Sequence, residues 1–152
     1  MKKLFIVIGL FLTVLYGCHE KTIGYLITKN AEYLTDSVIV HRELNPAIEL
    51  EATMMQSGAD WTSVAISGVL GTAPLTYSVE CATASDGGDA ALFMEQVKVM
   101  GNGQVYFPSK DIKAPNGTYV LSIRVSNKGY SAVLEDIITF IIREKGEANE
   151  KN

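Results

Sequence analysis

Thr76-Tyr77-Ser78-Val79-Glu80-Cys81-Ala82 is the stretch on which the fold turns. Side chains of an extended chain alternate between two faces, so Tyr77, Val79 and Cys81 fall on one side and Thr76, Ser78 and Glu80 on the other. One apolar and one polar face mark a strand whose sheet has a single side on a core. On this reading Cys81 is a buried, inert thiol.

Downstream, Val120 to Ser126 repeats the pattern, with Leu121, Ile123 and Val125 inward. Gln96 to Met100 offers Val97 and Val99, a short strand is expected at Gln104 to Phe107, and the β-branched run Ile137 to Arg143 reads as a strand covered on both faces. Upstream candidates are Ile23 to Thr28, Ser37 to Arg42, Ile48 to Met54 and Trp61 to Ser67. Gly58-Ala59-Asp60, Gly71-Thr72-Ala73-Pro74, Gly101-Asn102-Gly103, Pro115-Asn116-Gly117 and Asn127-Lys128-Gly129 are turn chemistry between them. Only Asp89 to Glu95, with Ala90, Ala91, Leu92 and Met94, suits a helical turn. Many short strands broken by such turns predict an all-β fold, a sandwich or barrel.

The N-terminus is of another kind. Lys2 and Lys3 precede an apolar run from Leu4 to Val14, the layout of a secretory signal. The run is too short to span a hydrocarbon core of ~30 Å as a helix. Leu15-Tyr16-Gly17-Cys18 resembles the lipobox of bacterial lipoproteins, with Tyr16 where a smaller residue is usual. That resemblance implies cleavage after Gly17, lipidation of Cys18 by acyl chains such as palmitate, and anchoring in a membrane through the lipid. The expected organisation is a signal peptide over 1–17, a tether over 18–22, one sandwich over 23–143 and a charged, disordered tail over 144–152.

Loss of Lys2 and Lys3 takes Lys+Arg from 13 to 11 against 17 Asp+Glu, a formal charge of about −6. With no basic run, the balance excludes nucleic acid as a partner and electrostatic attachment to an anionic membrane. Acylation of Cys18 leaves Cys81 without a cysteine to pair with, so no disulfide staples the core.

Four further segments carry a family resemblance. Gly71-Thr72-Ala73-Pro74-Leu75-Thr76-Tyr77-Ser78-Val79 resembles the G-x-x-P-L-x-Y-S-V strand entry of cadherin-like and immunoglobulin-like modules. Gly101 to Pro108 is similar to their G-x-I-x-F-x-P segment, Gly117 to Asn127 to G-x-Y-x-L-x-V-x-V-x-N, and Thr139 to Ile142 to a closing T-F-x-I strand. Together they cover about half of the mature chain and imply a single immunoglobulin-like (cadherin-like) β-sandwich. With the lipobox and short tether, the chain also resembles accessory lipoproteins of the Bacteroidota that sit beside starch-utilisation-type glycan importers. This implies an outer-membrane, lipid-anchored location, with polysaccharide or importer proteins as partners.

No catalytic constellation assembles. His19 lies in the tether and His41 ends a predicted strand; there is no Gly-x-Ser-x-Gly elbow, paired-histidine spacing or phosphate-cradling loop. Glu135-Asp136 are adjacent and diverge, which does not suit a glycosidase pair. Asp86-Gly87-Gly88-Asp89, with Glu95, supplies too few oxygens for calcium, which takes six to eight, and reads as a surface turn. The expectation is a non-enzymatic module without cofactor or metal.

A sugar site needs an exposed aromatic plane flanked by polar groups. Trp61, the only tryptophan, follows Asp60 at a loop-to-strand junction and is read two ways, as a sugar platform or as the core tryptophan of a sandwich. Tyr106 and Tyr130, beside turns, complete the candidate ligand-binding set of Trp61, Asp60, Tyr106 and Tyr130, while Tyr77 and Tyr119 read as core. Glycan binding predicts an exposed Trp61. A structural or adhesion role predicts a buried Trp61 and an unprotected sheet edge or apolar patch.

Overall fold

The computed structural model of the chain describes residues 24–146. The signal, Cys18, His19 and the rest of the tether, and the tail beyond Gly146, lie outside the described residues. The chain runs β1 (Leu26–Ile27), β2 (Ser37–Glu43), α1 (Glu49–Ser57), β3 (Trp61–Thr62), β4 (Leu70–Gly71), β5 (Thr76–Ser85), α2 (Ala90–Met94), β6 (Lys98–Met100), β7 (Gln104–Phe107), β8 (Gly117–Asn127) and β9 (Tyr130–Lys145). One sheet has the order β2-β9-β8-β5, a second β3-β7-β6, and β1 pairs with β4 in a small third. All of these pairs are antiparallel except β2 with β9, which is parallel.

Alternation builds the larger sheet. Tyr119, Leu121, Ile123 and Val125 of β8 and Ile138, Phe140 and Ile142 of β9 are buried. Val105 and Phe107 of β7 and Trp61 of β3 face them from the second sheet, so two sheets close on one core in an all-β, sandwich-like arrangement. The short helix α2 seals it. Asp89 caps the helix, its Oδ1 accepting from the Ala91 and Leu92 amides at 2.9 and 3.1 Å. Phe93 is thereby driven inward, its ring stacked on Phe107 and Tyr119 at centroid distances of 4.9 and 4.5 Å. Asp86 and Asp89 thus belong to the turn and cap that aim Phe93. Tyr119 also donates from its hydroxyl to the Pro115 carbonyl four residues upstream, at 2.6 Å.

Four expectations are corrected. Cys81 is exposed, because Val79 pairs with Ile123 but Cys81 pairs with Ser122, leaving one extra residue on β5. A bulge of this kind exchanges the two faces beyond it. Glu80 and Cys81 therefore both lie outward, and Ala82 and Ala84, half-buried, take up the inward positions. Arg124 of β8 grips the displaced Glu80 through Nε and Nη2, both at 2.6 Å, and holds its carboxyl below the usual glutamate range.

The strand expected at Ile48 to Met54 is the helix α1. Glu49, Leu50, Glu51, Ala52, Met54 and Met55 are strong helix formers, and Gly58 closes the helix in the left-handed conformation at φ 68°, its N–H donating to the Met54 carbonyl. The C-terminal boundary moves as well, since β9 continues to Lys145 and Gly146 is buried. The strand expected at Trp61 to Ser67 is shorter, with only Trp61 and Thr62 in the ladder.

Two measurements check this packing. Phe93→Ala is expected to cost about 3–5 kcal/mol in denaturant unfolding, as deletion of a fully buried ring does. In a Cys18→Ser background the native protein is expected to react with one equivalent of maleimide at Cys81 without denaturant; a thiol that reacts only on unfolding would refute the bulge.

Candidate functional site

β2 is an edge strand of the four-stranded sheet and β3 an edge strand of the three-stranded one. Where these two edges face each other, a groove of about 340 Å³ opens, lined by Thr35, Ser37, Val38 and Ile39, by Trp61 to Val64, and by Leu50 of α1. Its walls are aliphatic, indole and hydroxyl groups without a charge. Leu50 and Val64 are exposed large hydrophobics, and Leu34, beside Thr35, is 90% exposed. The groove thus has exposed apolar side chains on its walls and next in sequence to them, the kind of surface that marks a contact.

The floor is held from beneath. His41 of β2 and Glu51 of α1, both fully buried, lie 2.7 Å apart between Nδ1 and Oε1. Glu51 also accepts from the Asn45 amide at 2.6 Å, and Asn45 donates from Nδ2 to the Gly146 carbonyl at 2.9 Å. A Cβ on Gly146 would come within 2.7 Å of His41 Nδ1, so a glycine is what lets the end of β9 close over the imidazole. The His41 ring meets Trp61 edge-to-face at 5.9 Å. A histidine oriented by a carboxylate invites comparison with a catalytic pair, but these two groups have no exposed surface for a substrate to reach. What they do is clamp α1 and the chain terminus onto β2 and so fix the wall carrying Leu50.

The structure separates the residues expected to bind a ligand. Trp61 is 4% exposed, which is the core alternative of its two readings and not the open stacking platform. Its indole Nε1 is buried and has no hydrogen-bond partner among the described residues. Asp60 is exposed in the preceding loop, with Oδ1 accepting from the Ser109 amide at 3.4 Å. Tyr106 lies on the outer face of β7 opposite Thr62, and its hydroxyl donates to Gln104 Oε1 at 3.3 Å. Tyr130, 47% exposed, sits at the tight β8–β9 turn against Gly24, near the opposite end of β9 from the strand's contact with His41. Asp60, Trp61 and Tyr106 share the β3–β7 region, and Tyr130 is remote from it. The groove residues Val38, Ile39, Leu50 and Val64 were not singled out from sequence; the available signal was the aliphatic content of Leu50 and Val64, whose exposure no alternation rule reveals.

Among the described residues no group of three or more His, Cys, Asp or Glu side chains could hold a metal ion. Comparison with protein-family models, with curated proteins and with solved structures finds no match to this chain.

Replacing Glu51 with alanine removes the acceptor of a buried donor on His41 and of a part-buried one on Asn45. The expected loss is about 1–3 kcal/mol for each in denaturant unfolding. Trp61 emission is expected to shift to the red as α1 loosens; unchanged stability and emission would show that the clamp is not needed.

Proposed function

We propose that this chain is a lipid-anchored cell-envelope adaptor of immunoglobulin-like fold that docks a protein partner in the groove between β2 and β3. The observation that carries the reading is the pairing of a buried Trp61 with two sheet edges, unpaired among the described residues, around an apolar cleft. A sugar platform needs the indole face in water, whereas a protein contact uses an apolar groove rimmed by polar groups. The immunoglobulin-like assignment is supported by the split of strands into β2-β9-β8-β5 and β3-β7-β6, by the parallel edge pair, and by the hydroxyl of Tyr119 returning to the backbone at the start of β8. Export and lipidation at Cys18 rest on the lipobox resemblance, and the outer membrane and a glycan importer as partner rest on the likeness to accessory lipoproteins of the Bacteroidota.

One observation favours direct glycan capture as a second reading. Tyr25 and Tyr130 are both about half exposed near the β8–β9 turn, with Asn127 holding the Tyr25 and Thr72 carbonyls at 2.8 and 3.1 Å.

Photo-crosslinkers placed at Leu50 and Val64 in cells are expected to trap one discrete protein, and a crosslinker at Thr83 on β5, the opposite edge of the four-stranded sheet, none. Labelled palmitate is expected to enter the chain and to be lost in Cys18→Ala. Binding of a polysaccharide that Tyr130→Ala abolishes, with no protein trapped at Leu50, would replace the adaptor reading with the glycan one.

A further inference from the structure

The groove has a direction, and the hydrogen bonding of β2 supplies it. The Thr139 amide donates to the Asp36 carbonyl at 2.8 Å, which sets the parity of the parallel ladder. In such a ladder every second residue turns both backbone groups toward its neighbour. Asp36, Val38 and Val40 therefore face β9, and the N–H and C=O of Ser37 and Ile39 turn the other way, into the groove that these residues line. An edge of this kind is a template for one more strand.

The rim adds a charge. Asp36, Glu49 and Asp60 are exposed, and each is next in sequence to a lining residue. No lysine or arginine occupies such a position; Arg42, on β2 itself, lies beyond the lining run and donates to Asn116 Oδ1 and the Ile112 carbonyl, and Arg143 lies opposite His41. A second copy of this chain would bring the same three carboxylates against one another, which disfavours self-pairing across this edge.

Resting on the adaptor reading, we propose that the occupant is an extended segment of a partner protein that adds as a strand to the outer edge of β2. Its backbone pairs with Ser37 and Ile39, alternate aliphatic side chains enter between Leu50, Val64 and Trp61, and lysine or arginine flanks meet Asp36, Glu49 and Asp60. This is β-strand addition, in which the main chain supplies affinity and the pockets and rim supply specificity.

The single tryptophan lines the groove and reports on it. The full chain, in detergent, is titrated with tryptophan-free peptides of alternating valine and threonine, flanked either by lysines or by glutamates. The lysine-flanked peptide is expected to give a saturable change in Trp61 emission, and the glutamate-flanked peptide to bind at least about tenfold more weakly, the gap narrowing with added salt. Ile39→Pro removes an amide hydrogen from the outer edge alone, a position at which proline is tolerated, and is expected to abolish binding while the thermal transition persists. Asp36→Lys with Asp60→Lys is expected to reverse the charge preference, and this variant stands even where the proline variant fails to fold. Equal binding of both peptides, or binding that ignores Ile39→Pro in a folded protein, overturns the proposal. So does a concentration-dependent dimer that excludes peptide. Failure of every peptide while Leu50 still crosslinks to a protein sinks strand addition and leaves the adaptor reading; failure of both removes both.

Discussion

Everything in this molecule depends on one aromatic stack. Phe93 lies between Phe107 of one sheet and Tyr119 of the other, with Phe140 tilted against it at 5.6 Å. Cys81, the one cysteine among the described residues, is free, so dispersion and burial of these rings must do what a cross-link would otherwise do. The ring that joins the two layers is delivered by a single helical turn whose direction is set by one carboxylate, that of Asp89. A local capping interaction thus governs a long-range closure.

The second constraint is the clamp under the groove. Burying His41 and Glu51 costs desolvation that is offset only because each polar atom of the carboxylate has a partner, His41 for one oxygen and the Asn45 amide for the other. The clamp ties an edge strand, a helix and the end of β9 into one unit, so the groove above it is preformed. Preformed concave surfaces lose less conformational entropy on binding than surfaces that must first be assembled.

The strands with strict alternation were legible in the sequence. Leu121, Ile123 and Val125 of β8 face the core as expected, and β7 begins and ends where its residues predict. Cys81 was not legible, because alternation assumes an unbroken register and one bulge inverts everything beyond it. The helix α1 was hidden because Ile48, Leu50, Ala52 and Met54 alternate as a strand would, while the true period buries Glu51 and Met54. A buried glutamate contradicts any pattern that sorts residues by polarity, and only its partner ten positions earlier explains it. Trp61 was ambiguous for a related reason: its surroundings come from β2 and α1, which the local sequence around Asp60 does not announce. The groove itself is a relation between two edges and could be read from neither alone.

The parallel pairing of β2 with β9 has a mechanical consequence. The described chain begins at Gly24, packed against Tyr130, and reaches Ser37 opposite Thr139, about 30 Å farther along β9 at the rise of an extended strand. A pull entering through Gly24 and resisted by the rest of the sheet runs along the axis of β2. Six register pairs between β2 and β9 then bear the load together in shear, where a strand pulled sideways would open one pair at a time. The strand that forms the outer edge of the four-stranded sheet is thus backed by the geometry best suited to being tugged.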